Sequence, residues 1–313
     1  MTDVSPLGEQ ETIPCPLCNG SDADQLFVAQ DRLVGKPGTF PVVRCKGCGL
    51  VYLNPRPTRR ALKEYYPADY YPVPGGRETP EALSVARGLL KRVEAIAPGA
   101  NLSILDAGCG TGLFLKLARD RGHDVRGIEP GDAAVNYGRR VYGLPIDHGT
   151  LESVDLPENG FDVVTMWHVL EHMPDPVSAL RIVCRALKPG GMLLFGVPNF
   201  GSMEASLFGR RWFSLDAPRH LVHFDPVTAR QAVQAAGFES ERIVHSPGTA
   251  GMVYTLMGDL TGVSLKLRGS AIPDRAYHRI AGVLGWLVWP VCSLTARYGR
   301  GGAIEVYARK PAD

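Results

Sequence analysis

Four cysteines near the start of the chain have the spacing of a metal site. Cys15 and Cys18 form one C-x-x-C pair and Cys45 and Cys48 a second, with 26 residues between the pairs. Soft thiolates in that arrangement suit tetrahedral zinc, each pair riding on a tight turn, and Gly20, Gly47 and Gly49 lie where such turns need them. No histidine precedes His123, so the ligand set in this segment is all-cysteine. Four protein ligands close the coordination shell, which makes the metal structural rather than catalytic. The other reading, free thiols or a redox pair, has to account for two pairs and not one.

A second constellation joins a glycine-rich turn to an acid. The apolar run Leu102 to Leu105 reads as a buried strand, followed at once by Asp106, by Gly108, Gly110 and Gly112 at alternate positions, and by the helical pattern of residues 113–118. Glycines are needed where a backbone turns from strand to helix against a ligand. The helix N-terminus left behind offers unpaired N–H groups. Seventeen residues past Gly112, the strand 124–128 ends in Glu129, and a carboxylate there holds a nucleoside ribose by its hydroxyls. Further on, the apolar run 161–166 ends at Trp167 and His168, with Glu171 and His172 close behind. Ligands of an open parallel sheet lie beyond the carboxyl ends of its strands, so these side chains emerge beside the reaction site.

The wording around these residues is more specific than the fold. Asp106 to Gly112 resembles the first motif of class I S-adenosylmethionine-dependent methyltransferases. Gly127-Ile-Glu-Pro130, Phe161-Asp-Val-Val-Thr165, Val169-Leu-Glu-His-Met-Pro-Asp-Pro176 and Leu187-Lys-Pro-Gly-Gly191 follow in that family's order and spacing. The resemblance implies a Rossmann-like, doubly wound α/β sheet of seven strands, the last antiparallel. It implies S-adenosylmethionine as cofactor, held by Asp106, Gly108, Gly110, Gly112, Glu129 and Pro130. Thr150 and Leu151 would pass the adenine, and Trp167 and His168 would border the same pocket. Methyl transfer to an alcohol or acidic carbon also needs a base. His172 and His220 lead the candidates, with His168, His223 and Glu171 behind them; each histidine has the alternative of being a hydrogen-bonded structural group. Ubiquinone-pathway O-methyltransferases carry a Glu-x-x-Glu-His group at this strand end that holds a divalent cation; here His168 stands in place of the first glutamate.

The elements that must position these groups divide the chain into two parts. Residues 1–75 read as a zinc ribbon with a tyrosine-rich linker, and 76–313 as the methyltransferase domain. Tyr65, Tyr66, Tyr70 and Tyr71 either pack the ribbon on the main domain or line an acceptor pocket. Two insertions are expected. Residues 200–226, polar and aromatic, follow a strand's carboxyl end and suit a substrate cover. Residues 250–300 contain the uncharged run 280–296, with Trp286, Trp289 and Pro290 inside it. That run is short of the ~20 apolar residues a spanning helix needs, and proline should break it. It packs into a core or a homodimer, or it makes shallow contact with a membrane or a lipid-linked acceptor.

Composition narrows the partners. Of 313 residues, 45% are hydrophobic and 21% charged, ordinary for a globular chain, and the net charge is +2. The N-terminal residues carry Asp3, Glu9 and Glu11 and no apolar run, so the expected location is a reducing cytoplasm, free or peripheral to the inner membrane face. Residues 1–75 hold eight Lys/Arg against eight Asp/Glu, a neutral balance that disfavours RNA docking by the ribbon. The ribbon together with Asn54-Pro-Arg-Pro-Thr58 and Pro218-Arg-His-Leu-Val-His-Phe224 resembles bacterial deoxysugar and surface-polysaccharide methyltransferases. That resemblance implies a small-molecule or lipid-linked sugar acceptor, methylated at carbon or oxygen. A quinol or polyketide O-methyltransferase, a ribosomal-RNA methyltransferase and a non-enzymatic docking protein are the rival readings.

Overall fold

The catalytic sheet takes its order from which strands can be buried on both faces. In the computed structural model, which describes residues 5–66, 78–261 and 274–312, seven strands lie side by side. From one edge they are Glu239–Ser246, Ala303–Arg309, Leu187–Pro198, Phe161–Trp167, Ser103–Ala107, Asp124–Glu129 and Ile146–His148. Ala303–Arg309 is antiparallel to both its neighbours, and the five strands from Leu187–Pro198 to Ile146–His148 run parallel. Strand order reverses between Phe161–Trp167 and Ser103–Ala107, and a ligand crevice opens at such a switch point.

Parallel strands covered on both faces read as continuous apolar runs, and Phe161–Trp167 keeps Val163, Val164 and Met166 fully buried. Its one acid, Asp162, sits at the strand's start, where it pairs with Lys188 at 2.8 Å and accepts the Ser103 N–H. Helices Pro80–Ile96, Leu113–Asp120, Asp132–Tyr142, Pro176–Ala186 and Pro226–Ala235 accompany the sheet. Three of them begin on a proline behind a side-chain cap: Thr79, Asp175 and Asp225 each accept a backbone N–H of the first turn.

The division expected near residue 75 is bridged. Ribbon strands Ala23–Gln30, Thr39–Cys45 and Val51–Leu53 form a small antiparallel sheet, and Val222–His223, from the 200–226 insertion, adds its fourth strand against Val51–Leu53. One core runs through both parts, joining Phe40, Tyr52 and Tyr65 to Leu215, Leu221, Phe224 and Phe195. The expected linker at 72–77, with Tyr70 and Tyr71, lies outside the described residues.

Residues 250–300 contain two helices, Thr249–Thr261 and Asp274–Arg297, packed on each other. The expectation that Pro290 breaks the second helix is wrong: it runs unbroken for 24 residues with Pro290 inside it. Proline removes the hydrogen bond to the carbonyl four residues back, here that of Trp286. Pro290 and Trp286 both face solvent, so water can take that carbonyl and the helix continues.

Candidate active site

The glycine turn leaves the Ser103–Ala107 strand at its carboxyl end. Gly108, Gly110 and Gly112 all have positive φ, and Gly112 starts the Leu113–Asp120 helix from the left-handed region. A Cβ on Gly108 would overlap Val169, whereas one on Gly110 would meet nothing within 4 Å. Packing therefore excludes a side chain at the first position, and the second borders open space into which a ligand can fit. Glu129 closes the turn from the adjacent strand, accepting the N–H of Gly110 at 3.0 Å and of Gly131 at 2.8 Å. Burial raises the Glu129 pKa against those two hydrogen bonds. Burial also pushes Asp106 up to about 7, although the Thr165 hydroxyl donates to it at 2.6 Å.

The other cofactor candidates lie at or just past the carboxyl ends of the neighbouring strands. The Pro130 carbonyl lies 3.1 Å from His148 Nε2, Thr150 is half-buried, and Leu151 is packed into the core. Trp167 stands over Gly196 and under the Arg92 guanidinium, 5.1 Å from its ring centre.

The chain then turns sharply at His168, whose φ is +57° and whose N–H donates to the Gly196 carbonyl. A non-glycine residue in this region stores strain, and such residues cluster at functional sites. The turn brings His168 Nδ1 to 3.1 Å from Glu171 Oε1. Glu171 is buried with its second oxygen unpartnered. Burial opposes its ionisation, but the His168 hydrogen bond and the neighbouring histidines outweigh burial and hold the carboxyl down to about 2. The same contact raises the His168 pKa, although half of this side chain is open to solvent.

His220 arrives from the insertion. Its Nδ1 lies 2.8 Å from the Ser214 carbonyl, which can only accept, so Nδ1 carries a hydrogen and donates it, and Nε2 is left facing the carboxylates. That Nε2 is 4.0 Å from Glu171 and 3.9 Å from Asp216. His172 follows the same pattern: Nδ1 donates to the Arg219 carbonyl at 3.1 Å, with the Tyr66 hydroxyl at 3.0 Å. The two rings meet edge to face, 4.6 Å between centres. Burial, helped by the charge of His220, lowers His172 to about 4. His223 is buried against Phe200 and, again chiefly by burial, lowered to about 3. One donor atom each of Glu171, His172 and His220 lies within 4.8 Å of the others, close enough to share a cation.

So the structure brings His168, Glu171, His172 and His220 together at one strand end, and places His223 behind them in the ribbon sheet. Tyr65 turns away into the core, while Tyr66 reaches His172. Missing from the sequence reading was Arg219. It is fully buried and bonded to Asp31 at 2.6 and 2.9 Å, to Asp216 at 2.6 and 3.0 Å, and to the Tyr65 carbonyl. Asp31 is 188 residues away in sequence, and no local pattern announces such a partner. Beside this lock, a small, half-open cleft lies between ribbon, insertion and the Thr249–Thr261 helix. Trp212, Phe213 and Tyr254 line it together with Arg32 and Arg210, and Asp216 connects it to His220.

At the ribbon, Cys15 and Cys48 have their sulfurs 3.5 Å apart, as do Cys18 and Cys45, and all four fall within 4.8 Å. Tetrahedral Zn–S bonds of about 2.3 Å set sulfurs about 3.8 Å apart, so the cluster fits that ion. The Asn19 and Gly49 N–H groups close the two knuckles on the Cys15 and Cys45 carbonyls.

The methyltransferase-domain family matches residues 81–243, just over half of the chain. The chain belongs to this family. Among curated relatives it is 36% identical over 107 residues to ubiquinone biosynthesis O-methyltransferase of Stutzerimonas stutzeri, a match covering 32% of this chain and 46% of that one. The enzyme of the same name from Thiobacillus denitrificans is 29% identical over 185 residues, 54% of this chain and 79% of that one. Malonyl-[acyl-carrier protein] O-methyltransferase of Serratia marcescens is 32% identical over 174 residues, 53% and 64% of the two chains. The chain thus spans about half the length of the first of these relatives. Phosphoethanolamine N-methyltransferase 2 of Haemonchus contortus superposes with a TM-score of 0.52 at 17% identity, covering 81% of this chain and 57% of that one. A putative sarcosine dimethylglycine methyltransferase from Galdieria sulphuraria gives 0.52 at 14%, covering 74% and 87%. At such identities these two structures establish the fold.

Proposed function

We propose that the protein methylates a sugar, at oxygen or carbon, using S-adenosylmethionine, and that Cys15, Cys18, Cys45 and Cys48 hold a structural zinc. The observation that carries the methylation reading is the placement of His220 and His172. Both rings are anchored through Nδ1 to backbone carbonyls, and both stand beside a buried carboxylate at the carboxyl end of the Phe161–Trp167 strand. When bound, S-adenosylmethionine supplies a methyl group already activated on a cationic sulfur, which departs with the bonding electron pair as a neutral thioether. The glycine turn and Glu129 would hold it. His220 Nε2 accepts the acceptor's proton, and Glu171, ionised across the working pH range, offsets the resulting imidazolium charge. The aromatic and arginine-lined cleft beside Asp216 suits an acceptor with both apolar faces and polar substituents.

A second reading, O-methylation of a catechol-type quinol, draws on the names of the relatives above. The discriminating experiment measures S-adenosylhomocysteine production by zinc-loaded protein on nucleotide-linked deoxysugars and ketosugars, lipid-linked sugars and quinols. Turnover on a sugar, lowered about 10²–10⁴-fold in His220→Ala while cofactor affinity is kept, is the expected result. Turnover on quinols alone overturns the sugar reading and leaves the methyltransferase standing; no binding of S-adenosylmethionine overturns both.

A further inference from the structure

The Asp274–Arg297 helix buries one side and leaves the other bare. Gly285, Val288 and Cys292 face the Thr249–Thr261 helix and the core. On the opposite side Ile280, Val283, Trp286, Leu287, Val291 and Leu294 are all exposed, Trp286 at 79%. Only 6% of the window Arg279–Arg297 is buried, although its composition is apolar enough for a bilayer span. Contiguous apolar surface of this kind marks an interaction site.

Three observations say what covers it. Arg279 and Arg297 are 18 residues apart, which is five helical turns, so both stand on the same line as Val283, Trp286 and Leu294, about 27 Å apart. Both are exposed, as is Arg300 just beyond. No aspartate or glutamate occurs from residue 275 to 304. Trp289 and Tyr298 add exposed amphipathic rings at the C-terminal half. An apolar strip with tryptophans, capped by arginine at both ends and free of acids, has the pattern of a helix lying in a lipid headgroup layer.

A second copy of the chain fits less well. A two-fold pairing of antiparallel helices would set Arg279 against Arg297 of the other copy, with no acid on the face to neutralise either. Spanning is excluded by topology. One helix side is committed to protein, and six residues after Arg297 the chain is back in the catalytic sheet as Ala303–Arg309.

We infer that the outward face of the Asp274–Arg297 helix seats the protein on an anionic phospholipid surface, lying along it rather than through it. This goes beyond the methyl-transfer reading and does not depend on it.

The test is flotation of the full-length, zinc-loaded protein with vesicles of phosphatidylcholine alone and of phosphatidylcholine with about one third phosphatidylglycerol. Binding to the anionic vesicles is expected, with tryptophan emission shifted to the blue and affinity falling as salt rises. Trp286→Gln and Leu287→Gln, at exposed positions, should each weaken binding at least tenfold with unchanged melting temperature. Arg279→Gln and Arg297→Gln should each cost about fivefold on anionic vesicles only. Two results overturn the inference: no binding to either vesicle, or vesicle binding indifferent to all four substitutions. A lipid-free dimer that Trp286→Gln converts to monomer, with no vesicle binding by either form, would assign the face to a second copy instead.

Discussion

Replacing Arg219 with methionine should destabilise the whole molecule while leaving its apolar volume nearly intact. Arg219 and Asp31 have fully buried side chains and Asp216 is almost buried, so the cluster is one cation between two carboxylates. Removing the cation leaves two acids in a dry interior, Asp31 held by the backbone N–H groups of Leu33, Val34 and Lys36. Breaking a buried pair in this way costs about 3–5 kcal/mol. With about 2.1 cal/mol/K of unfolding entropy per residue, a 313-residue chain loses about 0.66 kcal/mol per degree, so the melting temperature should fall by about 5–8 °C. Differential scanning calorimetry reads this directly. The lock joins ribbon, linker and insertion, and the Arg219 carbonyl orients His172, so kcat should fall with the melting temperature. Asp31→Asn combined with Arg219→Met should cost less than the sum of the two, by about 1 kcal/mol or more. A melting temperature lowered by under 2 °C, or strictly additive losses, would refute the idea that this charge cluster holds the two parts together.

Other outcomes follow from single features of the structure. Stripping metal with a strong chelator, or Cys45→Ser, should release about one zinc per chain and lower the melting temperature at least as far as Arg219→Met, because the ribbon shares the main core; an unchanged melting curve would argue against a structural metal. Gly110→Ala should lower S-adenosylmethionine affinity at least tenfold by calorimetry for about 1–2 kcal/mol of backbone strain, whereas Gly108→Ala, which overlaps Val169, should also lower the melting temperature further. His223 is buried neutral with its pKa depressed to about 3, so the unfolded chain takes up its proton first and stability is lost as pH falls below about 6.5. His223→Leu should therefore gain on the wild type by about 3 kcal/mol, about 5 °C, between pH 7 and pH 4. Parallel melting profiles for the two proteins would show that His223 does not carry this term.

What was legible in the sequence is what local chemistry dictates. The sharp strand-to-helix turn at Gly108, Gly110 and Gly112 could be read directly, because backbone in the left-handed region admits few residue types. The clustering of the two cysteine pairs was legible for the same reason, since each C-x-x-C turn closes within a few residues. Continuous apolar runs announced the parallel strands, and the antiparallel position of Ala303–Arg309 followed from family order. The continuity of the Asp274–Arg297 helix through Pro290 was not legible, because it depends on which side of the helix meets solvent. The assembly around His220 was also decided only by tertiary structure. Its Nε2 faces Glu171 because Ser214 fixes the ring, Val222–His223 joins the ribbon sheet, and Arg219 closes on Asp31 from 188 residues away. Long-range pairs of this kind leave no periodicity in the chain. They exist only once two separate stretches have been buried against each other, and burial is what makes a charge such as Arg219 demand its partners.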